Sequence, residues 1–290
     1  MGFANRVLIQ IKIVMSKKII RVFPSKTRAT PDDKDVRIGV YPGLWDQADE
    51  VHISVAFTWD IPWAEQAAKF WEVVAPVKVG GPAYNEIGGN FIPGMYMKKG
   101  YVITSRGCPN RCWFCSVPKR EGGSLRELPV TDGWIVTDDN LLACSDRHIN
   151  EVFSMLERQP HRPQFCGGLE AKLLTPVMAG RIKELKPESL FFAYDTPDDY
   201  EPLVEAGKML FNAGFTRGSH ALNAYVLCGY KKDTFDKALK RMEDTWRAGF
   251  VPMAMLYRDF KGEYSREWKQ FQREWANPFI RGSKLKEIKL

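Results

Sequence analysis

Three cysteines in one short stretch are the residues best suited to chemistry. Cys108, Cys112 and Cys115 follow the spacing C-x3-C-x2-C within the segment SRGCPNRCWFCS. Three thiolates on one loop can bind three irons of a cubane iron–sulfur cluster, and without a fourth thiolate one iron stays open to another ligand. The turn-forming residues between the first two cysteines indicate an exposed loop, which argues against unligated core thiols.

A zinc site is the main alternative for the same cysteines. Structural zinc normally has four closed ligands, often from a second C-x2-C or a pair of histidines. The histidines lie at no close zinc-ligand spacing from the three cysteines; they are His52, His148, His161 and His220. The spacing therefore favours an iron–sulfur ligand set over zinc.

The cysteine stretch follows the first of six predicted strands. The strands are rich in β-branched and aromatic residues and lie at 101–105, 134–137, 163–166, 189–194, 223–228 and 251–257. Helices are predicted between them: 146–158 after the cap Ser145, one from Thr175 and Pro176, 198–213 before Gly214, and 233–248 before Gly249. Six β/α repeats predict a parallel sheet with covering helices, which right-handed crossovers can curl into a full or partial barrel. Ligands bind at the carboxyl ends of such strands.

The sequence resembles the radical S-adenosylmethionine (radical SAM) superfamily. The resemblance rests on the three cysteines, on aromatic Phe114 just before Cys115, and on the six β/α repeats, and it covers about 100–260. It implies a partial (β/α)6 barrel, a [4Fe–4S] cluster on Cys108, Cys112 and Cys115, and SAM at the open iron. In this family the reduced cluster cleaves SAM to methionine and a 5′-deoxyadenosyl radical, which abstracts hydrogen from a substrate.

Two strand ends carry the residues expected to contact SAM, together with Phe114. The second strand ends in TDDN, and Asp138 and Asp139 stand where much of the family has a Gly-Gly-Glu motif that meets the SAM amino group. A helix-capping turn is the alternative for these residues. The third strand ends in CGGLEA, which is similar to that motif but one strand late and with an inserted leucine. Gly167, Gly168 and Glu170 are therefore expected at SAM or substrate, with a simple glycine turn as the alternative.

The last three strand ends supply the candidates for catalysis. Asp195 follows the fourth strand and could reach cofactor or substrate, or it or Thr196 could cap the next helix. Cys228 ends the fifth strand and is a candidate radical-chemistry thiol, although a lone strand cysteine more often fills apolar space. Tyr257 and Arg258 end the sixth strand, and Arg258 could pair with a substrate carboxylate or phosphate or form a structural salt bridge.

The segment before the barrel resembles a shortened cobalamin-binding domain. Residues 37–99 are expected to form a small α/β unit, with a strand at 51–59, a helix after Pro62 and a strand at 77–83. The unit lacks a D-x-H-x-x-G segment, and His52 lies in DEVHIS instead. Cobalamin is therefore not expected as a cofactor, and the unit is interpreted as a vestigial packing domain.

Basic ends enclose a slightly acidic body. The net charge of +7 arises from about +6 in residues 1–37 and about +4 in 261–290, so the middle is about −3. In the tail, Trp268, Phe271 and Trp275 form an aromatic stripe at helical spacing. Docking of a C-terminal helix on the barrel explains the stripe, and a nucleic-acid surface is the alternative.

These observations give four expected regions: a basic segment 1–36, the small unit 37–99, the barrel 100–260 and the basic aromatic tail 261–290. With 44% hydrophobic and 27% charged residues, the composition is that of a globular protein. The apolar runs are too short to span a membrane and no secretory signal is evident, so a cytoplasmic location is expected. Met15 is a second candidate start.

The expected protein is a radical SAM enzyme acting as an isomerase, methyltransferase or oxidoreductase. Its partners would be SAM, an electron donor such as flavodoxin or ferredoxin, and a nucleic acid or nucleotide substrate. A small metabolite or peptide is the second substrate class. A non-catalytic iron–sulfur or zinc binding module is the alternative from another class.

Overall fold

Two parallel sheets organise the chain. The computed structural model describes residues 17–288. Residues 1–16 lie outside this range, and with them the choice between Met1 and Met15 as the start. A four-stranded sheet comes first and a six-stranded sheet follows it, so the predicted α/β class with parallel sheets is confirmed.

The smaller sheet has one helix packed against it. Its strands are β1 (Ile19–Phe23), β2 (Val36–Ile38), β3 (Glu50–Ser54) and β4 (Val77–Gly80), in the order β2-β1-β3-β4. Helix α1 (Ile61–Trp71) follows β3, has Pro62 in its first turn as predicted, and buries Trp71. The strand order reverses between β1 and β3, and ligands of parallel sheets bind at the carboxyl ends beside such a point.

The smaller sheet begins earlier than the sequence predicted. We expected residues 1–36 to lie outside the small unit, but β1 falls within them and pairs with both β2 and β3. Ile20 and Val22 of β1 are at most 1% exposed, so this strand belongs to the core. Strand β1 was not predicted because its five residues, most of them apolar, lie between lysines and Pro24 and its partner strands are distant in sequence.

The larger sheet contains the six predicted strands. The strands after β4 are β5 (Tyr101–Val102), β6 (Ser105–Arg106), β7 (Arg126–Glu127), β8 (Ile135–Val136), β9 (Gln164–Phe165), β10 (Ser189–Ala193), β11 (Leu222–Cys228) and β12 (Val251–Leu256). Six of them form a parallel sheet in chain order, β5-β8-β9-β10-β11-β12. The first predicted strand, 101–105, is shorter than expected, because Ser105 leaves it for an antiparallel ribbon of β6 and β7.

Helices connect these strands and confirm the predicted caps. They are α2 (Val117–Glu121), α3 (Asp146–Glu157), α4 (Pro176–Glu184), α5 (Tyr200–Asn212), α6 (Phe235–Arg247), α7 (Arg266–Ala276) and α8 (Pro278–Glu287). The Ser145 side chain accepts a hydrogen bond from the His148 amide, and Thr175 accepts one from the Met178 amide. Helix α5 begins two residues later than predicted, after a 3-10 turn at Pro197–Asp199.

The two faces of the larger sheet differ in burial. Side chains on one face, such as Val136, Leu190 and Phe192, are at most 2% exposed and belong to the main core with the helices. Several side chains on the other face are half-buried, and Phe191 of β10 stacks there on Tyr225 of β11 at 4.5 Å. A sheet wound in one direction has its helices on one face, and this leaves the second face open toward the carboxyl edge.

The C-terminal region contains two helices instead of the single one expected. Asn277 separates α7 from α8, and its side chain caps α8 by accepting hydrogen bonds from the Phe279 and Ile280 amides. Trp275 of α7 is 1% exposed and belongs to the main core, against which Trp268 and Phe271 also pack. The aromatic stripe is therefore the docking face of α7, which confirms the docking interpretation over the nucleic-acid one.

No helix within residues 17–288 is long and apolar enough to cross a membrane.

Candidate functional site

The cysteine loop joins β5 to α2 at the carboxyl edge of the larger sheet. Cys112 is exposed, whereas Cys108 and Cys115 are half-buried, and all three are free thiols. The Cys115 amide donates a hydrogen bond of 3.0 Å to the Cys112 carbonyl, which closes a tight turn between them. The loop therefore presents its thiols at the edge where parallel sheets bind ligands.

The thiols of this loop influence one another electrostatically. Burial raises the pKa of Cys112, and the neighbouring Cys115 and Cys108 raise it further. Burial likewise raises the pKa of Cys115, with a further rise from Cys108 and Asp139. Both shifts favour the neutral thiol, whereas binding of a metal centre requires the thiolate.

Asp139 anchors the cysteine loop from the next strand end. Its carboxylate accepts a hydrogen bond of 2.8 Å from the Gly107 amide and a charged one of 2.7 Å from Arg120 in α2. Gly107 has a φ of +85°, and a Cβ there would lie 2.3 Å from the Ser124 carbonyl oxygen. Asp139 thus holds the segments on both sides of the cysteines, which is a different role from the predicted contact with the SAM amino group.

Asp138 is also committed to the protein rather than to a ligand. It is 1% exposed, and its carboxylate accepts hydrogen bonds from the Thr104 amide at 2.7 Å, from the Thr104 hydroxyl and from the Ser105 hydroxyl. Burial raises the pKa of Asp138, although these hydrogen bonds oppose the shift. This geometry argues against the expected SAM contact, because the side chain is used to fix the start of the loop.

Asn140 links the cysteine loop to the third strand end. Its Nδ2 donates to the Glu170 Oε2 at 2.6 Å and lies 3.4 Å from the Cys108 Sγ. Asn140 is 3% exposed, and its buried Oδ1 accepts no hydrogen bond from a described residue. A ligand role was not predicted for Asn140. Its position at a strand end, beside the two aspartates, is the feature of the sequence that could have indicated such a role.

The two glycines before Glu170 have different roles. A Cβ on Gly167 would lie 1.9 Å from the Asp138 carbonyl oxygen, so this glycine permits close packing of two strand ends. Gly168 has a φ of +98° and open space around its Cα. Gly167 therefore fits the alternative of a packing turn, whereas Gly168 and Glu170 lie beside the cysteine loop with room for a ligand.

Asp195 lies at the fourth strand end and is half-buried. Burial and the nearby Asp199 raise its pKa to about 7, and the Leu227 amide donates a hydrogen bond of 3.1 Å to its Oδ1. The cap of the following helical turn is Thr196 with Asp199, so Asp195 is not the helix cap. Its charge also contributes to the raised pKa of Cys112, after larger contributions from burial and from the other two cysteines of the loop.

The remaining catalytic candidates are in three different environments. Cys228 is fully buried in the main core, where burial raises the pKa of its thiol to about 12, so it acts as the apolar filler that was the alternative prediction. Tyr257 lies near the loop, with its ring 6.0 Å from that of Trp113. The Arg258 guanidinium stacks between Trp59 and Tyr264, at 5.1 and 4.7 Å, and forms no salt bridge to a described residue.

Aromatic residues of the cysteine loop face the last two strand ends. Phe114 is half-buried, and its ring meets the edge of Trp113 at 5.3 Å. Trp113 in turn contacts Tyr230, which follows β11, at 5.4 Å. The contact between Trp113 and Tyr230 was not predicted. Local sequence patterns do not show that the loop after the first strand meets the loops after the last two strands.

The smaller sheet has a cavity at its own carboxyl edge. The cavity measures about 580 Å³ and is bounded by loops of the small unit and by Ile103 and Arg106 of the larger one. His52 lines it, and both ring nitrogens are engaged, at 2.8 Å from the Tyr96 hydroxyl and 3.0 Å from the Glu50 carboxylate. This histidine is therefore held on both sides of its ring by residues of the small unit.

The donor set of the loop fits an iron–sulfur cluster better than a single metal ion. Within residues 17–288, no three side chains of Cys, His, Asp or Glu are arranged to hold one metal ion. A cubane takes one thiolate at each of three irons, so its cysteines need not converge on a single point. The three free thiols on one loop, the unpartnered Asn140 oxygen and the open space at Gly168 fit such a group.

Comparison with known proteins identifies no relative for this chain: no protein-family model matches it, and no curated protein matches its sequence.

Proposed function

We propose that this protein is a radical SAM enzyme with one [4Fe–4S] cluster. The observation that carries the proposal is the cysteine loop at the carboxyl end of β5, with Cys108 joined through Asn140 to Glu170. Cys108, Cys112 and Cys115 would hold the cluster. When bound, the reduced cluster would supply the electron that cleaves SAM to methionine and a 5′-deoxyadenosyl radical.

The protein residues would position SAM beside the cysteine loop. Glu170 carries the carboxylate best placed to pair with the SAM ammonium group, because Asp138 and Asp139 are already hydrogen-bonded within the protein. Asn140 would hold Glu170 in place, and the open space at Gly168 would let the backbone approach the ligand. Asp195, with a pKa of about 7, is suited to hold or release a proton near neutral pH.

The larger sheet supports the finer proposal of a partial (β/α)6 barrel. Its six strands follow one another in chain order, and one face carries the helices. Trp113 of the first loop contacts Tyr230 and Tyr257 of the last two. Such contacts would result if the sheet curled so that its first and last strand ends approached each other, with the half-buried face inside.

The reaction would begin with hydrogen abstraction and lead to rearrangement, methylation or oxidation. A reduced electron donor such as flavodoxin or ferredoxin would be required. The substrate class is a nucleic acid or nucleotide, and a small metabolite or peptide is the second candidate. The half-buried Phe191–Tyr225 stack on the second face of the larger sheet would favour the small ligand.

Anaerobic reconstitution with iron and sulfide tests the proposal. After addition of dithionite and SAM, chromatography should detect 5′-deoxyadenosine from the native protein and none from Cys112→Ala. Cys166→Ala is the matched control, because Cys166 is a half-buried thiol outside the loop, and it should retain the activity.

The same experiment separates the alternative of a non-catalytic binding module. Iron bound by the three cysteines without SAM cleavage, in the presence and absence of candidate substrates, would favour that module. Tight binding of zinc but not of iron would exclude the radical SAM proposal.

A further inference from the structure

A row of aromatic side chains crosses the carboxyl edge beside the cysteine loop, and the proposed SAM site does not use it. We call it the aromatic ridge; its members are Tyr230, Trp113, Tyr257, Arg258, Trp59 and Phe57. Consecutive members are in contact or adjacent in the chain: Trp113 lies between two tyrosines, and the Arg258 guanidinium lies 5.1 Å from the Trp59 ring. Phe57 and Trp59 stack at 4.7 Å with their planes 6° apart.

Two members of the ridge are open to solvent, and the other four are half-buried. Trp113 is 61% exposed and Phe57 is 39% exposed, and Phe260 beside the ridge is 69% exposed. The Thr58 hydroxyl donates a hydrogen bond to the Phe260 carbonyl, which keeps this residue next to Phe57 and Trp59. The half-buried residues Tyr257, Arg258 and Trp59 connect the exposed rings. A connected set of exposed rings indicates an interaction surface, since single scattered rings are the ordinary case.

Positive charge surrounds the exposed rings. The loops after β11 and β12, at 229–234 and 257–265, contain four lysines and arginines and three carboxylates, and one of these carboxylates, Asp233, is buried in a pair with Arg241. Lys231, Lys232 and Lys261 are exposed and form no ion pair with any residue in the described part of the chain. Flexible, unpaired cations around flat exposed rings match a ligand that has both phosphates and planar bases.

We propose that the aromatic ridge binds single-stranded nucleic acid. Bases would stack on the exposed rings, and the backbone phosphates would face the lysines. A duplex keeps its bases stacked within itself, so a single strand fits the row of rings better. Because Trp113 lies between Cys112 and Cys115, a bound strand would pass beside the proposed site; that part of the inference rests on the proposed function and assigns its substrate class.

Fluorescence anisotropy of a labelled strand tests the ridge without SAM cleavage. The probe is an oligothymidine of about 15 nucleotides, compared with an abasic strand of equal length and charge, on the full chain after anaerobic reconstitution. The ring variant is Phe57→Ala with Phe260→Ala, and the charge variant is Lys231→Glu with Lys232→Glu. The matched control, Phe279→Ala with Lys286→Glu, alters the same residue types on α8, which lies with the amino ends of β11 and β12.

The two variants should weaken binding in different ways. The ring variant should weaken oligothymidine binding by about five-fold or more and leave the abasic strand unaffected, because only stacking is lost. The charge variant should weaken both strands and reduce the salt dependence of binding, because fewer counterions are released. The control should bind both strands as the native protein does.

Two results would overturn the proposal. One is an abasic strand that binds as tightly as oligothymidine to every variant, since the rings would then contribute nothing. The other is unchanged oligothymidine affinity in the charge variant together with slower cluster reduction by flavodoxin, which would assign the surface to an acidic redox protein. A protein that forms 5′-deoxyadenosine but binds no strand contradicts only the ridge, whereas binding without SAM cleavage contradicts only the proposed function.

Discussion

At the scale of single residues, the connection between the cysteine loop and Glu170 depends on one amide. Asn140 donates to Glu170 at 2.6 Å and lies against the Cys108 sulfur. Asn140→Asp keeps the shape but replaces the donor with a carboxylate beside Glu170 and a thiolate. We expect the dissociation constant for SAM, measured by equilibrium dialysis on the reconstituted protein, to rise about ten-fold or more, because a hydrogen bond to a charged group is replaced by repulsion.

Gln270→Glu is the control for that substitution. Gln270 donates to the Glu274 carboxylate at 3.1 Å on the exposed surface of α7, so the variant makes the same chemical change far from the loop. It should leave SAM binding and iron content unchanged. Equal SAM affinity in Asn140→Asp and the native protein would show that Asn140 does not position Glu170.

The raised pKa of the Asp195 carboxyl should make the stability of the protein depend on pH. Its folded pKa of about 7 exceeds the unfolded value, so the folded state binds the extra proton and stability falls as pH rises from about 4 to about 7. Asp195→Asn keeps the acceptor for the Leu227 amide but cannot ionise. We expect the unfolding free energy of the variant, relative to the native protein, to grow by about 2.5 kcal/mol between pH 5 and pH 8.

Urea unfolding of the cluster-free protein at both pH values measures this difference. Asp198→Asn is the control, because Asp198 is exposed in the same turn, and its offset from the native protein should vary little with pH. A constant offset for Asp195→Asn as well would mean that Asp195 is ionised in the folded protein throughout this range.

At the scale of elements, the sequence predicted what local patterns determine. The six strands of the larger sheet, the caps Ser145 and Thr175, and the helix ends at Gly214 and Gly249 are as expected, since each depends on neighbouring residues. The ribbon of β6 and β7 was missed, because its short strands pair across about twenty residues of loop.

The site was predictable to the same extent. The sequence shows the spacing of the cysteines and the glycine turn before Glu170. It does not show which groups a polar side chain will hydrogen-bond in the folded protein. Asp138 and Asp139 were expected to face a ligand, and the structure shows them hydrogen-bonded to the cysteine loop and its start. Only the packing of neighbouring strand ends distinguishes these roles.

At the scale of elements, Gly167 lies where the ends of β8 and β9 are closely packed. A Cβ at this position would overlap the Asp138 carbonyl oxygen and push the ends of β8 and β9 apart. Gly167→Ala should lower the free energy of unfolding by about 3 kcal/mol in urea titration. The separated strand ends should also weaken iron retention, because Asp138 and Asp139 hold the loop.

Gly180→Ala is the matched control within a helix. A Cβ on Gly180 in α4 meets nothing within 4 Å, so alanine should stabilise the protein by about 0.5 to 1 kcal/mol. If Gly167→Ala were as stable as the native protein, the two strand ends would not be as closely packed as the structure shows.

At the scale of the whole molecule, one buried carboxylate connects the parts that surround the cysteine loop. Glu121 at the end of α2 is 3% exposed and pairs with Arg106 of β6 at 3.1 Å and with Arg126 of β7 at 2.9 Å. It also accepts a hydrogen bond of 3.2 Å from the Gly88 amide, in the segment that leads from the small unit to the larger sheet. The loop is thereby fixed to the ribbon of β6 and β7 and to the segment that leads from the small unit.

Glu121→Gln should therefore lower the stability of the whole protein. The amide keeps the size of the buried side chain but leaves the half-buried Arg106 and Arg126 without its counter-charge. The free energy of unfolding in urea should therefore fall by about 3 kcal/mol. Because α2 directly follows Cys115, a chelator should also remove iron faster from the reconstituted variant. Glu205→Gln, which breaks the exposed pair with Lys208, should stay within about 0.5 kcal/mol of the native protein. Equal effects of the two substitutions would show that the Glu121 pairs are no stronger than a surface contact and that the small unit does not support the loop.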